Sequence, residues 1–473
     1  MKNLIIIITI LLSGILKAQD QNLSLNECIK IALEENISLK RSHLNAETSK
    51  IFLRQSKSAL FPSINANYNL GVNNGRSIDP YTNDYIDQQL KFSNVGVDLN
   101  AQLFKGFELL NSIQRDRYNW KASKAEAEEA RQQLILEVTL AYFQVLNNRD
   151  LVELSQLRIK ATKDQMERLK NLYEEGEGNP ADFTDIQGQV NADAASLLEA
   201  QNALTSAKLE LANLLNRDEN FQVANLSSDA VTPYALSSEE VYAQALEHFP
   251  GFEADQYRID AAEENVAVAK SLYLPEVSLF AQVNSNYSSV ARIYTENGTE
   301  VIQTGQFITV GENNYPVQTN QALFAEEKIS YLDQLNNNLN SVVGLSVAIP
   351  VFNGFRAKQQ VDLRKIELED SRLALEATKN DLEQEIKLAY NQMQTAFKNY
   401  FILQEQVQAY EESYRVNEIR FRSGVSNFVE YIISKNNLDR AKINLTNSLY
   451  EYIIRRKILD YYGSRNNRLM FQD

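Results

Sequence analysis

The chain repeats itself. Leu103-Phe104-Lys105-Gly106-Phe107 recurs as Val351-Phe352-Asn353-Gly354-Phe355, Leu140-Ala141-Tyr142 as Leu388-Ala389-Tyr390, and Gly176 as Gly424, all at one shift of 248 positions. Between the paired glycines lie 107–175 and 355–423, two blocks of 69 residues with neither Gly nor Pro. At about 1.5 Å per residue each block predicts a helix of roughly 100 Å. Few soluble domains have room for two such rods. Ahead of each rod, apolar and polar residues alternate strictly, which predicts strands with one face in an apolar medium.

Four segments alternate in this way. Ile64, Ala66, Tyr68, Leu70 and Val72 interleave with Asn65, Asn67, Asn69, Gly71 and Asn73, and Val95 to Leu103 interleave with Asn94 to Gln102. Val277 to Val283 and Val343 to Val351 do the same in the second copy. An apolar face backed by Asn, Asp, Gln, Gly and Ser fits lipid on one side and water on the other. Four strands cannot close a membrane barrel, whose smallest versions have about eight, so several chains must share one.

The rods carry a heptad column. Val138, Val145, Val152, Ile159, Met166 and Tyr173 fall seven apart, as do Ile386, Met393, Tyr400, Val407, Tyr414 and Phe421, which predicts supercoiled packing. A second stripe, Leu136, Leu140, Phe143, Leu154 and Leu157, lies on nearly the opposite side, so the rod has a neighbour on each flank. The expected order is a signal peptide over 1–18, then a first repeat over 19–215 with helix 24–60, strands near 62–73 and 93–104, long helix 107–175 and return helix 181–215. A linker over 216–237 leads to a second repeat over 238–463, with helix 239–273, strands near 275–285 and 341–352, long helix 355–423 and return helix 425–462; a tail spans 464–473. The distance from Pro275 to Phe352 exceeds that from Pro62 to Phe104 by 77 − 42 = 35 residues, and the excess falls in 286–338, read as an extracellular loop.

At the N-terminus, Lys2, the apolar run Leu4 to Leu12 and the small Ala18 before Gln19-Asp20-Gln21 have the form of a secretory signal peptide cleaved after Ala18. The run is too short to span a membrane. The lone Cys28 follows Leu25-Asn26-Glu27 rather than a lipid-attachment motif, and reads as a helix residue. A formal charge of −15 argues against nucleic acid and reads as solubility.

The doubled architecture, Ile349-Pro350-Val351-Phe352-Asn353-Gly354 with its partner Leu103-Phe104-Lys105-Gly106, and the rod-ending turns Tyr173-Glu174-Glu175-Gly176 and Arg420-Phe421-Arg422-Ser423-Gly424 resemble the TolC-like outer-membrane efflux family over essentially the whole mature chain. The resemblance implies a mainly α fold with a membrane β-barrel part: a homotrimer sharing twelve strands in outer-membrane lipid and twelve helical columns through the periplasm. It also implies a periplasmic adaptor (membrane fusion protein) and, through it, an inner-membrane pump of RND or ABC type. The implied function is that of an exit duct for small molecules or polypeptides.

In that family the tunnel tip carries function. Gly176 and Gly424 match the turn glycines, with Tyr173, Arg420 and Phe421 beside them as adaptor-docking residues. Asp182 and Glu430, each six positions past its glycine, match acids that line or latch the entrance; an acid in a first helical turn also favours the dipole in its own right. The chain departs from the best-known gate pattern, since Phe421 lacks a hydroxyl, Ser426 stands where an Arg would, and Ile433 where a second acid would.

No catalytic, cofactor or metal site is expected. His43 and His248 are in helices and in no metal-ligand or nucleophile-base spacing. The alternative is a periplasm-spanning coiled-coil structural protein or adhesin with a membrane-anchoring barrel, which explains the rods but leaves the duplicated strands unexplained.

Overall fold

The computed structural model describes residues 22–225 and 231–463. The signal-peptide region, the tail 464–473 and part of the linker lie outside the described residues. In chain order, the elements are β1 (Asn22–Leu23), α1 (Leu25–Glu35), α2 (Ile37–Ser58), β2 (Ser63–Asn73), β3 (Arg76–Ile78), β4 (Tyr85–Asp87), β5 (Leu90–Lys105), α3 (Glu108–Glu174) and α4 (Pro180–Leu215). There follow β6 (Gln222–Val223), α5 (Ser238–His248), α6 (Pro250–Lys270), β7 (Glu276–Ser288), β8 (Arg292–Val310), β9 (Asn313–Lys328), α7 (Tyr331–Asn337), β10 (Asn340–Ala348), α8 (Arg356–Arg422) and α9 (Phe428–Gly463).

Both halves begin with the same device. Ser24 and Ser237 cap α1 and α5, and the Glu27 and Glu240 carboxylates accept the cap residues' own amides at 2.8 Å in each case. These serines are 237 − 24 = 213 positions apart, as are Pro62 and Pro275, whereas the rods repeat at 248. The difference, 248 − 213 = 35, was therefore added between the second pair of strands.

Neither expected helix ahead of the strands is continuous. The first breaks at Asn36 (ψ 126°), whose carboxamide oxygen accepts the Leu39 amide at 3.0 Å and whose amide group donates to the Leu214 carbonyl at 3.0 Å. The second breaks at Phe249 (ψ 117°), held out of the helical region by Pro250. Asn36 and Phe249 are again 213 apart, so the kink belongs to the repeat.

The chain forms two compact units. The first takes in the residues up to Ile51, Asp116–Ala262 and Ile366 onward. Its core is the heptad column in duplicate: Val138 and Val145 are fully buried among Ile29, Leu211 and Leu215, while their equivalents Ile386 and Met393 pack with Val241, Tyr452 and Leu459. Each such side chain contributes about 1.5–3 kcal/mol by leaving water. Cys28 is buried in this core, and burial pushes its thiol up to about 12, so it stays protonated and inert. The linker is not wholly irregular: β6 pairs in parallel with β1, and the Tyr142 hydroxyl donates to the carbonyls of Leu23 and Ala224 beside them. Of the second stripe, Leu136 and Phe143 are buried while Leu157 is exposed.

The second unit comprises Phe52–Arg115 and Glu263–Lys365. It contains a four-stranded antiparallel sheet in the order β10-β7-β5-β2. The register places Ile64, Ala66, Tyr68, Leu70, Val95, Val97 and Leu99 on one face with Leu279, Ala281, Val343 and Leu345, and the Asn-rich positions on the other. On the polar face, Phe92 covers Gly71 and Phe280 covers Gly344, an aromatic over a glycine in each half. Two expectations are corrected here. The strand expected to reach 352 ends at Ala348, because Pro350 cannot donate to the ladder. The region 286–338 is no irregular loop: β8 and β9 form a long two-stranded ribbon and α7 a short helix.

Candidate functional site

The two long helices end in turns built alike. Gly176 has φ +79° and Gly424 φ +69°, the left-handed conformation that lets a chain reverse without a Cβ clash. The Gly176 amide donates to the Tyr173 carbonyl at 3.1 Å, and the amides of Glu177 and Gly178 both donate to Leu172 at 3.0 and 2.9 Å. At the same spacing, Gly424 donates to Phe421 at 3.1 Å, and Val425 and Ser426 both donate to Arg420 at 2.9 and 3.3 Å. These bonds satisfy carbonyls that the last helical turn leaves without partners. Asn179 and Asn427 start the return helices: their side-chain oxygens accept the amides of Ala181 (3.1 Å) and Glu430 (2.9 Å).

Packing between the turns is aromatic. Leu169, Ile186, Phe428 and Tyr431 are buried together, with Met166, Phe183, Tyr414 and Phe421 against them. Phe421 stacks on Tyr431 at 5.1 Å, and Tyr173 on Phe183 at 5.7 Å. Burial and the hydrogen bond with Tyr414 push the Tyr431 hydroxyl well above the usual phenol range. The missing hydroxyl of Phe421 is thus matched by an apolar stack within the chain. The Arg168 guanidinium donates to the Arg422 carbonyl at 3.4 Å, joining the first turn region to the second.

Of the acids singled out from sequence, Glu430 lies 3.7 Å from the Arg420 guanidinium, both side chains being about half exposed. An expected docking residue and an expected entrance acid therefore form one pair. Asp182 accepts from the Asn179 side chain at 3.2 Å, and burial followed by the neighbouring Asp185 holds its carboxyl above the usual range.

One group was missed by sequence reasoning. Arg158 on α3, Asp193 on α4, and Lys435 and Asp439 on α9 form a closed ring of alternating charge: Arg158–Asp193 2.8 Å, Asp193–Lys435 3.6 Å, Lys435–Asp439 2.7 Å and Asp439–Arg158 3.4 Å. The Asp193 side chain has no exposure, and it also accepts from Thr162 at 2.5 Å and Gln189 at 2.7 Å. The available signal was the Lys435/Asp439 spacing of four on a return helix, which also fits an exposed pair.

A sheet with one apolar face and two edges unpaired among the described residues, in one chain with two 67-residue helices, is the architecture of an outer-membrane channel protein. The outer membrane protein VceC from Vibrio cholerae shares the fold at a TM-score of 0.72 and 15% identity, over 93% of this chain and 96% of that one. The CmeC channel of Campylobacter jejuni does so at 0.73 and 17%, over 94% and 88%. The outer membrane efflux protein BepC of Brucella suis is 23% identical over 395 residues, spanning 82% of this chain and 74% of the relative. The family described as outer membrane efflux protein matches residues 28–217 and 241–460, and the chain belongs to it. It is an outer-membrane exit duct, and the adhesin alternative is not favoured.

Proposed function

We propose that three copies close a twelve-stranded barrel and a helical tunnel, and that the tunnel tip docks on a periplasmic adaptor fed by an RND or ABC pump. The observation that carries this reading is the edges of β2 and β10, unpaired among the described residues, on a sheet whose apolar face is exposed, Leu70 at 73% and Val343 at 74%. An open edge in lipid leaves backbone groups unsatisfied, so each edge requires a copy of the chain. The helices support it too: Ile37, Leu44 and Ile51 form an exposed heptad stripe on α2 that nothing among the described residues covers. Mass measurement of the detergent-extracted protein should give three chains and no stable folded monomer. A folded single chain in the membrane would refute the shared barrel.

Cargo follows from the pump. Similar proteins include the toluene efflux pump outer membrane protein TtgF of Pseudomonas putida and the alkaline protease secretion protein AprF of Pseudomonas aeruginosa.

At the entrance, three Glu430 carboxylates facing the axis would favour cations and bind multivalent ones. In planar bilayers, Glu430→Gln should lose cation preference and sensitivity to trivalent blockers, and Asp182→Asn should have the smaller effect. Unchanged selectivity and block in Glu430→Gln would leave Glu430 as an acid that merely pairs Arg420 and favours its helix start.

A further inference from the structure

β10 pairs with β7 only up to Asn340 opposite Asn284, so from Ser285 to Ser288 the side of β7 away from β5 has no strand beside it among the described residues. The short helix α7 takes that place. The Ser285 hydroxyl donates to the Leu335 carbonyl at 2.6 Å, and the Asn338 side chain donates to the Asn286 carbonyl at 2.9 Å. Gln334, almost fully buried, accepts the Ser288 amide at 2.9 Å and donates to the Ser288 carbonyl at 3.0 Å, as a paired strand would. Residues 331, 334, 335 and 338 thus form one side of the segment, turned toward the sheet.

The face that α7 lies against is the apolar one. Tyr331 reaches over it to place its hydroxyl 3.1 Å from Ser93 and 3.4 Å from the Tyr68 hydroxyl, with its ring 4.9 Å from that of Tyr287. Tyr68, Ser93, Ser285 and Tyr287 share their side of the sheet with Val97, Ala281 and Val343. Ser93 is fully buried there, while Leu332 and Leu339, seven positions apart, are 69% and 65% exposed in a segment whose only other apolar aliphatic residue, Leu335, is on the side turned to the sheet.

We propose that α7 and the turn after it are a lipid clamp: the segment rests in the interfacial layer of the membrane, inserts Leu332 and Leu339 among acyl chains, and uses the Tyr68–Tyr287–Tyr331 cluster as its belt at headgroup level. The occupant is lipid because the surface continues the apolar face of the sheet, which in an outer-membrane channel meets lipid, and because tyrosines with one wet end concentrate at that depth. The inference rests on the outer-membrane reading and adds a contact that the first repeat does not have, since α7 lies within the second hairpin.

The test places tryptophan at 332 or 339 in the full chain, reconstituted in phosphatidylcholine vesicles and measured against the parent, whose one tryptophan is Trp120. Leu332→Trp and Leu339→Trp should each add fluorescence that lipids brominated near the headgroup quench and aqueous iodide does not. Added fluorescence open to iodide and untouched by bromolipid overturns the clamp. So does shielding from both quenchers, which assigns the surface to a second copy of the chain. Leu345→Trp, on the same face within the sheet, separates the two levels of the argument. Quenching there by deeply brominated lipid, without it at 332 and 339, removes the clamp alone, whereas none at 345 removes the membrane-facing assignment of the sheet.

Discussion

Replacing Lys435 with methionine should cost the folded protein about 3–5 kcal/mol, the range for taking one partner from a buried ion pair. Lys435 is 3% exposed and lies between Asp193 and Asp439, so its loss leaves the fully buried Asp193 and the partly buried Asp439 sharing Arg158. The comparison is Lys442→Met on the same helix, which removes a half-exposed pair with Glu411 at 2.8 Å and should cost under about 1 kcal/mol. Thermal unfolding of the purified protein reads both. Adding Asp193→Asn to Lys435→Met should recover part of the loss, because it removes the stranded charge. Equal midpoints for the two lysine variants would show that the ring contributes nothing.

Gly424→Val should abolish export while the protein still inserts in the outer membrane at normal levels. The turn needs φ +69°, which costs a β-branched residue about 1–3 kcal/mol. An added Cβ would meet nothing within 4 Å, so the effect arises from the backbone and not from a clash. Relief of that strain means giving up the bonds from Val425 and Ser426 to Arg420, which aim Arg420 and its partner Glu430. Gly424→Ala should fall between the two. Normal export from a correctly inserted Gly424→Val protein would take the turn out of the docking surface.

Long helices and membrane strands were legible because each writes a sustained period into the sequence. Sixty-nine positions without Gly or Pro, and apolar residues at every second position from Ile64 to Val72, have few other readings. The break at Asn36 was hidden, because no Gly or Pro marks it and the capping role of Asn depends on a bond to the distant Leu214. The ribbon of β8 and β9 was hidden for a different reason. Its side chains are exposed on both faces, as at Tyr294, Ile308 and Phe324, so nothing in the pattern separates an inside from an outside. At the tip, the glycines could be found because only glycine takes φ > 0 freely, whereas the Arg420–Glu430 pair depends on how ten residues fold back. The ring around Asp193 uses residue types that normally face water, and only three-dimensional proximity distinguishes them.

The second hairpin's 35 extra residues leave the repeat's frame undisturbed: the sheet keeps an unbroken register from Glu276 to Asn284 against β10, and the ribbon's two ends, Arg292 and Lys328, are themselves register partners. A segment whose ends already meet can be lengthened, shortened or exchanged as one cassette. Changes of length or sequence between Arg292 and Lys328 then need no compensating change in the four-stranded sheet or in the long helices.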